Sequence, residues 1–123
     1  MTDGKLVRDL IPDIIRESGR RAEVHYLAGE ELVRALGTKL CEEAQEAADV
    51  VDDREKLVGE LADLTEVMSA LMKLRGIDDS EVVQAAKLKA TQRGRFESGV
   101  WLVGSRPQRR QECRGTRSQL SRD

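Results

Sequence analysis

Aromatic side chains are almost absent from this chain: Tyr26, Phe96 and Trp101 are the whole set. Ala, Leu, Val, Glu, Lys and Arg dominate instead, a composition that suits helix packed on helix and argues against an all-β sandwich. Cysteine is also scarce. Cys41 and Cys113 stand far apart, with no partners at metal-ligand spacing, and the first ten residues carry charges where a signal peptide needs an apolar run. Both observations point to the reducing cytoplasm. No apolar stretch approaches the ~20 residues needed to cross a bilayer, so the chain does not read as an integral membrane protein. His25 is the only histidine and reads as structural, and Cys41 lacks a neighbouring histidine that would make it a nucleophile.

What is present is charge, unevenly placed. The formal net charge is −2, yet Arg106, Arg109, Arg110, Arg114, Arg117 and Arg122 outweigh Glu112 and Asp123 in the last twenty residues, which leaves the remainder acidic. An acidic body does not suit duplex nucleic acid, whose binders are basic over the contact face. Residues 104–123 are rich in Gly, Ser, Arg and Gln and nearly free of apolar side chains, so they cannot repay their ordering entropy. The expected organisation is one domain over residues 1–103 and a basic, disordered tail over 104–123. A contact of that tail with RNA is the one nucleic-acid role left open.

Hydrophobic spacing places the helices. Pro12 suits a first helical turn and Gly19 a stop, which gives a short helix near 12–18. Val33, Leu36, Leu40, Ala44, Ala47 and Val51 recur at helical period and predict a helix near 30–51, broken by Asp52-Asp53. Leu57, Leu61, Leu64, Met68 and Leu71 predict a second near 53–74, ended by Gly76. A third runs near 79–91, with Ser80 and its acidic neighbours as capping groups and Phe96 and Trp101 as anchors of its far end. The fold class is mainly α, an antiparallel helical bundle. Residues 23–27 and 100–103 read as short extended segments able to pair as a minor strand pair. Two long helices and one shorter one make a thin core, so a second copy is expected to complete the bundle.

The carboxylates are the unusual feature. At ~100° per residue, Glu43 projects about 60° from the centre of the first long helix's apolar stripe, and Glu46 lies one turn further on the same flank. Glu42 points away. On the second helix Glu60 falls within the stripe and Asp63 at its margin, while Glu66 faces out. Two helices thus each bring two acids, three residues apart, to a shared seam. Burying one ionised carboxylate costs several kcal/mol unless it is paired or binds a metal, and four converging ones also repel. Lys39 shares the flank but cannot neutralise four acids. A hard divalent cation can: Mg²⁺ takes carboxylate oxygens and completes its shell with water and substrate phosphate, and Mn²⁺ fits nearly as well. Periodicity alone leaves a second reading open, in which a slight helix rotation or a partner arginine satisfies the acids.

The string Glu42-Glu43-Ala44-Gln45-Glu46, followed by Glu60-Leu61-Ala62-Asp63, resembles the EExxE and ExxD motifs of the all-α nucleoside triphosphate pyrophosphohydrolases, the MazG-type superfamily. Lys5-Leu6-Val7-Arg8-Asp9-Leu10-Ile11-Pro12 and the later Lys87, Arg93, Gly94 and Phe96 look like its phosphoribosyl-ATP pyrophosphohydrolase-like, house-cleaning branch. The resemblance spans residues 5–103. It implies Mg²⁺-dependent cleavage of a nucleoside triphosphate between its α and β phosphates, releasing a nucleoside monophosphate and pyrophosphate. It also implies Glu43, Glu46, Glu60 and Asp63 as metal ligands. Phosphoryl transfer needs charge neutralisation and a positioned water rather than a covalent nucleophile. Glu46 and Glu43, then Glu42, are the candidates to orient or deprotonate that water. Lys39, Lys87, Arg93, Arg95, Lys5 and Arg8 are candidates to hold phosphate.

The nearest alternative is phosphoribosyl-ATP pyrophosphohydrolase of histidine biosynthesis. That enzyme typically continues its ExxD motif with Tyr-His, where this chain has Leu64-Thr65. A non-catalytic helical interaction module is the alternative from another class. Relatives in the superfamily are commonly dimers or tetramers, which implies a homodimer or homotetramer here.

Overall fold

The apolar periodicity appears as four helices in the computed structural model, which describes residues 4–108: α1 (Ile11–Glu17), α2 (Gly29–Asp49), α3 (Arg54–Arg75) and α4 (Asp79–Arg93). Pro12 stands in the first turn of α1, where a missing N–H costs nothing. The chain then turns through Gly19, whose φ of +91° suits a residue without Cβ. Arg16 fastens this turn by donating to the carbonyl of Ala22 at 3.0 Å.

The α2–α3 hairpin follows from local chemistry. α2 stops at Asp49, one turn short of the Asp52-Asp53 pair, and Val51 lies exposed in the turn rather than on the helix. Asp53 then caps α3: its side chain accepts from the Lys56 N–H at 3.1 Å and satisfies one of the orphan donors of the first turn. At the other end Gly76 takes φ +67°. The Ile77 N–H reaches the Met72 carbonyl at 2.9 Å and the Gly76 N–H the Lys73 carbonyl at 3.2 Å, the paired bonds of a Schellman stop. The two helices pack antiparallel. Across the open end of the hairpin, Arg75 donates to both carboxylate oxygens of Glu30, at 3.2 and 3.3 Å.

The core lies along this seam and is small. Among the described residues Leu36 and Ala47 of α2 and Val67 of α3 are the buried apolar ones, and α1 and α4 bury none. Three expectations are corrected here. No strand occurs among the described residues, so 23–27 and 100–103 form no strand pair. Tyr26 and Val100 are exposed, and a two-stranded ribbon without a packed apolar face is not stable in water. Phe96 and Trp101 do not anchor α4: they follow it at 99 % and 87 % exposure and pack on neither long helix. Ser80 lies inside α4 and donates to Asp78 Oδ2 at 2.7 Å instead of capping the helix. Most of the tail expected over 104–123, from residue 109 onward, lies outside the described residues.

Candidate functional site

Helical spacing of three places Glu60 and Asp63 on one side of α3, and the antiparallel seam sets them against Glu43 of α2. Glu43, Glu60 and Asp63 each offer a carboxylate oxygen, and these three oxygens lie within 4.8 Å of one another. Glu43 is only 6 % exposed, the one buried charged residue among those described. Glu60 and Asp63 are half-buried. Oε1 of Glu43 and Oε1 of Glu60 are both buried and have no hydrogen-bond partner. An ionised oxygen without a partner in the interior is costly, so these two atoms call for a positive ligand. Three clustered carboxylates suit a hard, oxygen-preferring divalent ion, and the orphaned oxygens fit one.

Protein cations cover only part of the cluster. Lys39, one turn before Glu43 on α2, brings Nζ to 3.5 Å from Glu43 Oε2 and 3.9 Å from Glu42 Oε1. Arg8, in the segment before α1, donates to Asp63 Oδ1 at 2.7 Å across 55 positions of sequence. The hydrogen bond to Asp63 raises the Arg8 guanidinium above its ordinary pKa against some desolvation, and the charges of Asp63, Glu66 and Glu43 add to the rise. Glu60 shows the opposite side of the imbalance. Burial pushes its carboxyl above the ordinary glutamate range, and the charge of Glu46, a hydrogen bond with Glu46, and the charges of Glu43 and Asp63 push the same way.

The other predicted positions fall around this centre or away from it. Glu46 borders the cluster through Glu60 but is exposed and stands outside the three-oxygen group. Glu42 is exposed and meets Lys39, and Glu66 is exposed, as its helical position predicts. Lys5, Lys87, Arg93 and Arg95 are exposed and take part in none of the ion pairs among the described residues. Sequence reasoning missed the pairing of Arg8 with Asp63: no helical or strand spacing links an arginine ahead of one helix with an aspartate in another. The reading in which an arginine satisfies the acids therefore holds for Asp63 Oδ1 and fails for the buried oxygens of Glu43 and Glu60.

None of the four helices is long and apolar enough to cross a membrane. No curated protein and no solved structure matches the chain at a significant level. The family model described as phosphoribosyl-ATP pyrophosphohydrolase matches residues 7–90, a stretch that contains Arg8, Lys39 and all the clustered carboxylates. With most of its length matched, the chain belongs to the phosphoribosyl-ATP pyrophosphohydrolase family, within the MazG-like all-α pyrophosphohydrolases, and is a hydrolase of that kind.

Proposed function

We propose that this protein is a Mg²⁺-dependent nucleoside triphosphate pyrophosphohydrolase that removes non-canonical nucleotides by cleaving between the α and β phosphates. The observation that carries the reading is the pair of buried, unpartnered oxygens of Glu43 and Glu60 beside Asp63. Glu43, Glu60 and Asp63 would hold Mg²⁺, or Mn²⁺ in its place, with the Glu46 carboxylate beside them and free of the ion. When bound, the ion neutralises phosphate charge. The chain's own groups do the rest. Water oxygen forms a new bond to phosphorus as the bridging P–O bond between the α and β phosphates breaks, and pyrophosphate leaves. Glu46 is the best-placed acceptor for the water's proton, because it is exposed beside the cluster and stands outside the three-oxygen group. Glu42 is the second candidate. Arg8 and Lys39 are near enough to the carboxylates to reach phosphates bound there. Lys5, Lys87, Arg93 and Arg95 supply further positive charge from segments that pack little within one chain.

Self-association belongs to the same reading. Val82, Val83 and Leu88 of α4, together with Phe96 and Trp101, are exposed apolar side chains among the described residues. A second copy, in a homodimer or homotetramer, is the occupant that an all-helical chain with a three-residue core needs.

A second reading, phosphoribosyl-ATP pyrophosphohydrolase of histidine biosynthesis, is favoured by the name of the matching family. Leu64-Thr65 after Asp63 is the feature that weighs against it. Pyrophosphate release from a panel of ordinary and damaged nucleoside triphosphates, with phosphoribosyl-ATP included, separates the two. Metal-dependent turnover of the triphosphates alone supports house-cleaning, turnover of phosphoribosyl-ATP alone supports the biosynthetic role, and no turnover at all supports an interaction module.

A further inference from the structure

The cluster is already partly neutralised by the protein, and the identity of the neutralising groups is informative. Arg8 and Lys39 come from different elements and take hold of different carboxylates, Asp63 Oδ1 at 2.7 Å and Glu43 Oε2 at 3.5 Å. Those are two of the three residues of the cluster. Neither pair is both enclosed and tightly bonded: Arg8 and Asp63 bond closely but their side chains are 56 % and 41 % exposed, while Lys39 and Glu43 are 21 % and 7 % exposed but meet only at 3.5 Å, at the limit of a hydrogen bond. An ion pair as open as Arg8–Asp63 is weak and readily exchanged, and a contact as long as Lys39–Glu43 yields to a closer acceptor. Both cations are also of the types that bind phosphate, a guanidinium fork and an ammonium point charge.

We propose that Arg8 and Lys39 are exchangeable counter-cations. They pair with Asp63 and Glu43, oppose a divalent ion that arrives alone, and transfer to phosphate oxygens when ion and phosphate bind together. This deepens the function proposed above and rests on it. Two effects of Arg8 on the ion compete. Its hydrogen bond holds the Asp63 carboxylate in one orientation, which favours coordination. Its charge sits one carboxylate away from the cation site, which opposes it. The second effect is the larger. A unit charge at that range changes the affinity for a doubly charged ion on the order of tenfold even at the dielectric constant of water, and more in a partly buried cluster. Freezing one short side chain contributes less. Once a phosphate chain is present the sign reverses, since the same two cations then face added negative charge. Metal alone therefore binds weakly and metal with phosphate binds strongly, which favours entry of the ion already bound to its nucleotide.

Mn²⁺ binding, followed by electron paramagnetic resonance or calorimetry at low salt with and without inorganic pyrophosphate, tests the exchange in the full chain. Arg8→Gln and Lys39→Gln are each expected to tighten Mn²⁺ alone about tenfold. Each is also expected to weaken pyrophosphate in the presence of Mn²⁺ by a similar factor. Arg8→Lys, which keeps the charge, is expected to hold Mn²⁺ within a few-fold of wild type. Helical circular dichroism checks that each variant is folded, and Lys39→Gln carries the test alone if Arg8→Gln is not. Weaker or unchanged Mn²⁺ binding in the glutamine variants, with wild-type binding intact, overturns the exchange and leaves the proposed function standing. Failure of the wild type to bind Mn²⁺ under either condition overturns both.

Discussion

Glu43 and Glu60 meet across the α2–α3 seam, each with a buried Oε1 that no protein group partners. A hairpin selected for stability alone would place leucine or alanine at these positions, as it does at Leu36, Ala47 and Val67. Function is the reason to keep acids there, and the cost of keeping them gives the first prediction.

Glu43→Gln is expected to raise the melting temperature of the protein without added metal. It removes a buried charge whose unpartnered oxygen costs about 1–3 kcal/mol, while keeping the volume. The same variant is expected to lose the stabilisation that millimolar Mg²⁺ gives the wild type, because a ligand that binds the folded state alone raises its stability by mass action. Thermal unfolding with Mg²⁺ and with a chelator checks both signs.

The raised Glu60 carboxyl makes stability depend on pH in a defined direction. Over the interval between the ordinary glutamate value and the raised one, the folded chain binds more protons than the unfolded chain. Stability is therefore expected to fall as pH rises through that interval, in contrast to a carboxylate held by a salt bridge. Melting temperatures between about pH 4 and pH 8 with chelator present measure this, and Glu60→Gln is expected to flatten the Glu60 contribution.

The Glu30–Arg75 fork closes the hairpin end opposite the α2–α3 turn, but both side chains are well exposed. Arg75→Ala is expected to cost no more than about 1 kcal/mol at low salt, and the difference is expected to shrink in 1 M salt as screening removes the pair's Coulomb term. Urea unfolding at the two salt concentrations reads the result.

Self-association through α4 is expected to appear as a concentration-dependent mass of two or more chains in light scattering. Val82→Glu together with Val83→Glu places charge at two neighbouring exposed apolar positions of α4, a helix with no buried residue. The double variant is expected to shift the mass toward one chain without loss of α2–α3 helicity.

Local rules account for what the sequence made legible. Asp53 and Gly76 are a cap and a stop that act within a few residues, and they bracket α3 within one residue at each end. The 3.6-residue period placed Glu43, Glu60 and Asp63 at the seam, because side-chain direction on a helix is fixed by position. Features that depend on distant packing were not legible. The Arg8–Asp63 pair joins segments with no common periodicity. Phe96 and Trp101 suggested an anchor, since large apolar residues are usually inside, yet both stand exposed in the segment after α4, and where such a segment docks depends on packing that no local pattern encodes. Glu46 shared the flank of Glu43 on the helical wheel and meets Glu60, but it stays exposed and outside the three-oxygen group, a difference in burial that the wheel does not encode.

The most direct test of the metal-dependent pyrophosphohydrolase is pyrophosphate release from the nucleotide panel with Mg²⁺, measured for the wild type, Glu43→Gln and Asp63→Asn. Turnover that disappears with chelator and falls at least a hundredfold in both variants is the predicted result. Turnover that persists in both variants, or that proceeds unchanged with chelator, would contradict it.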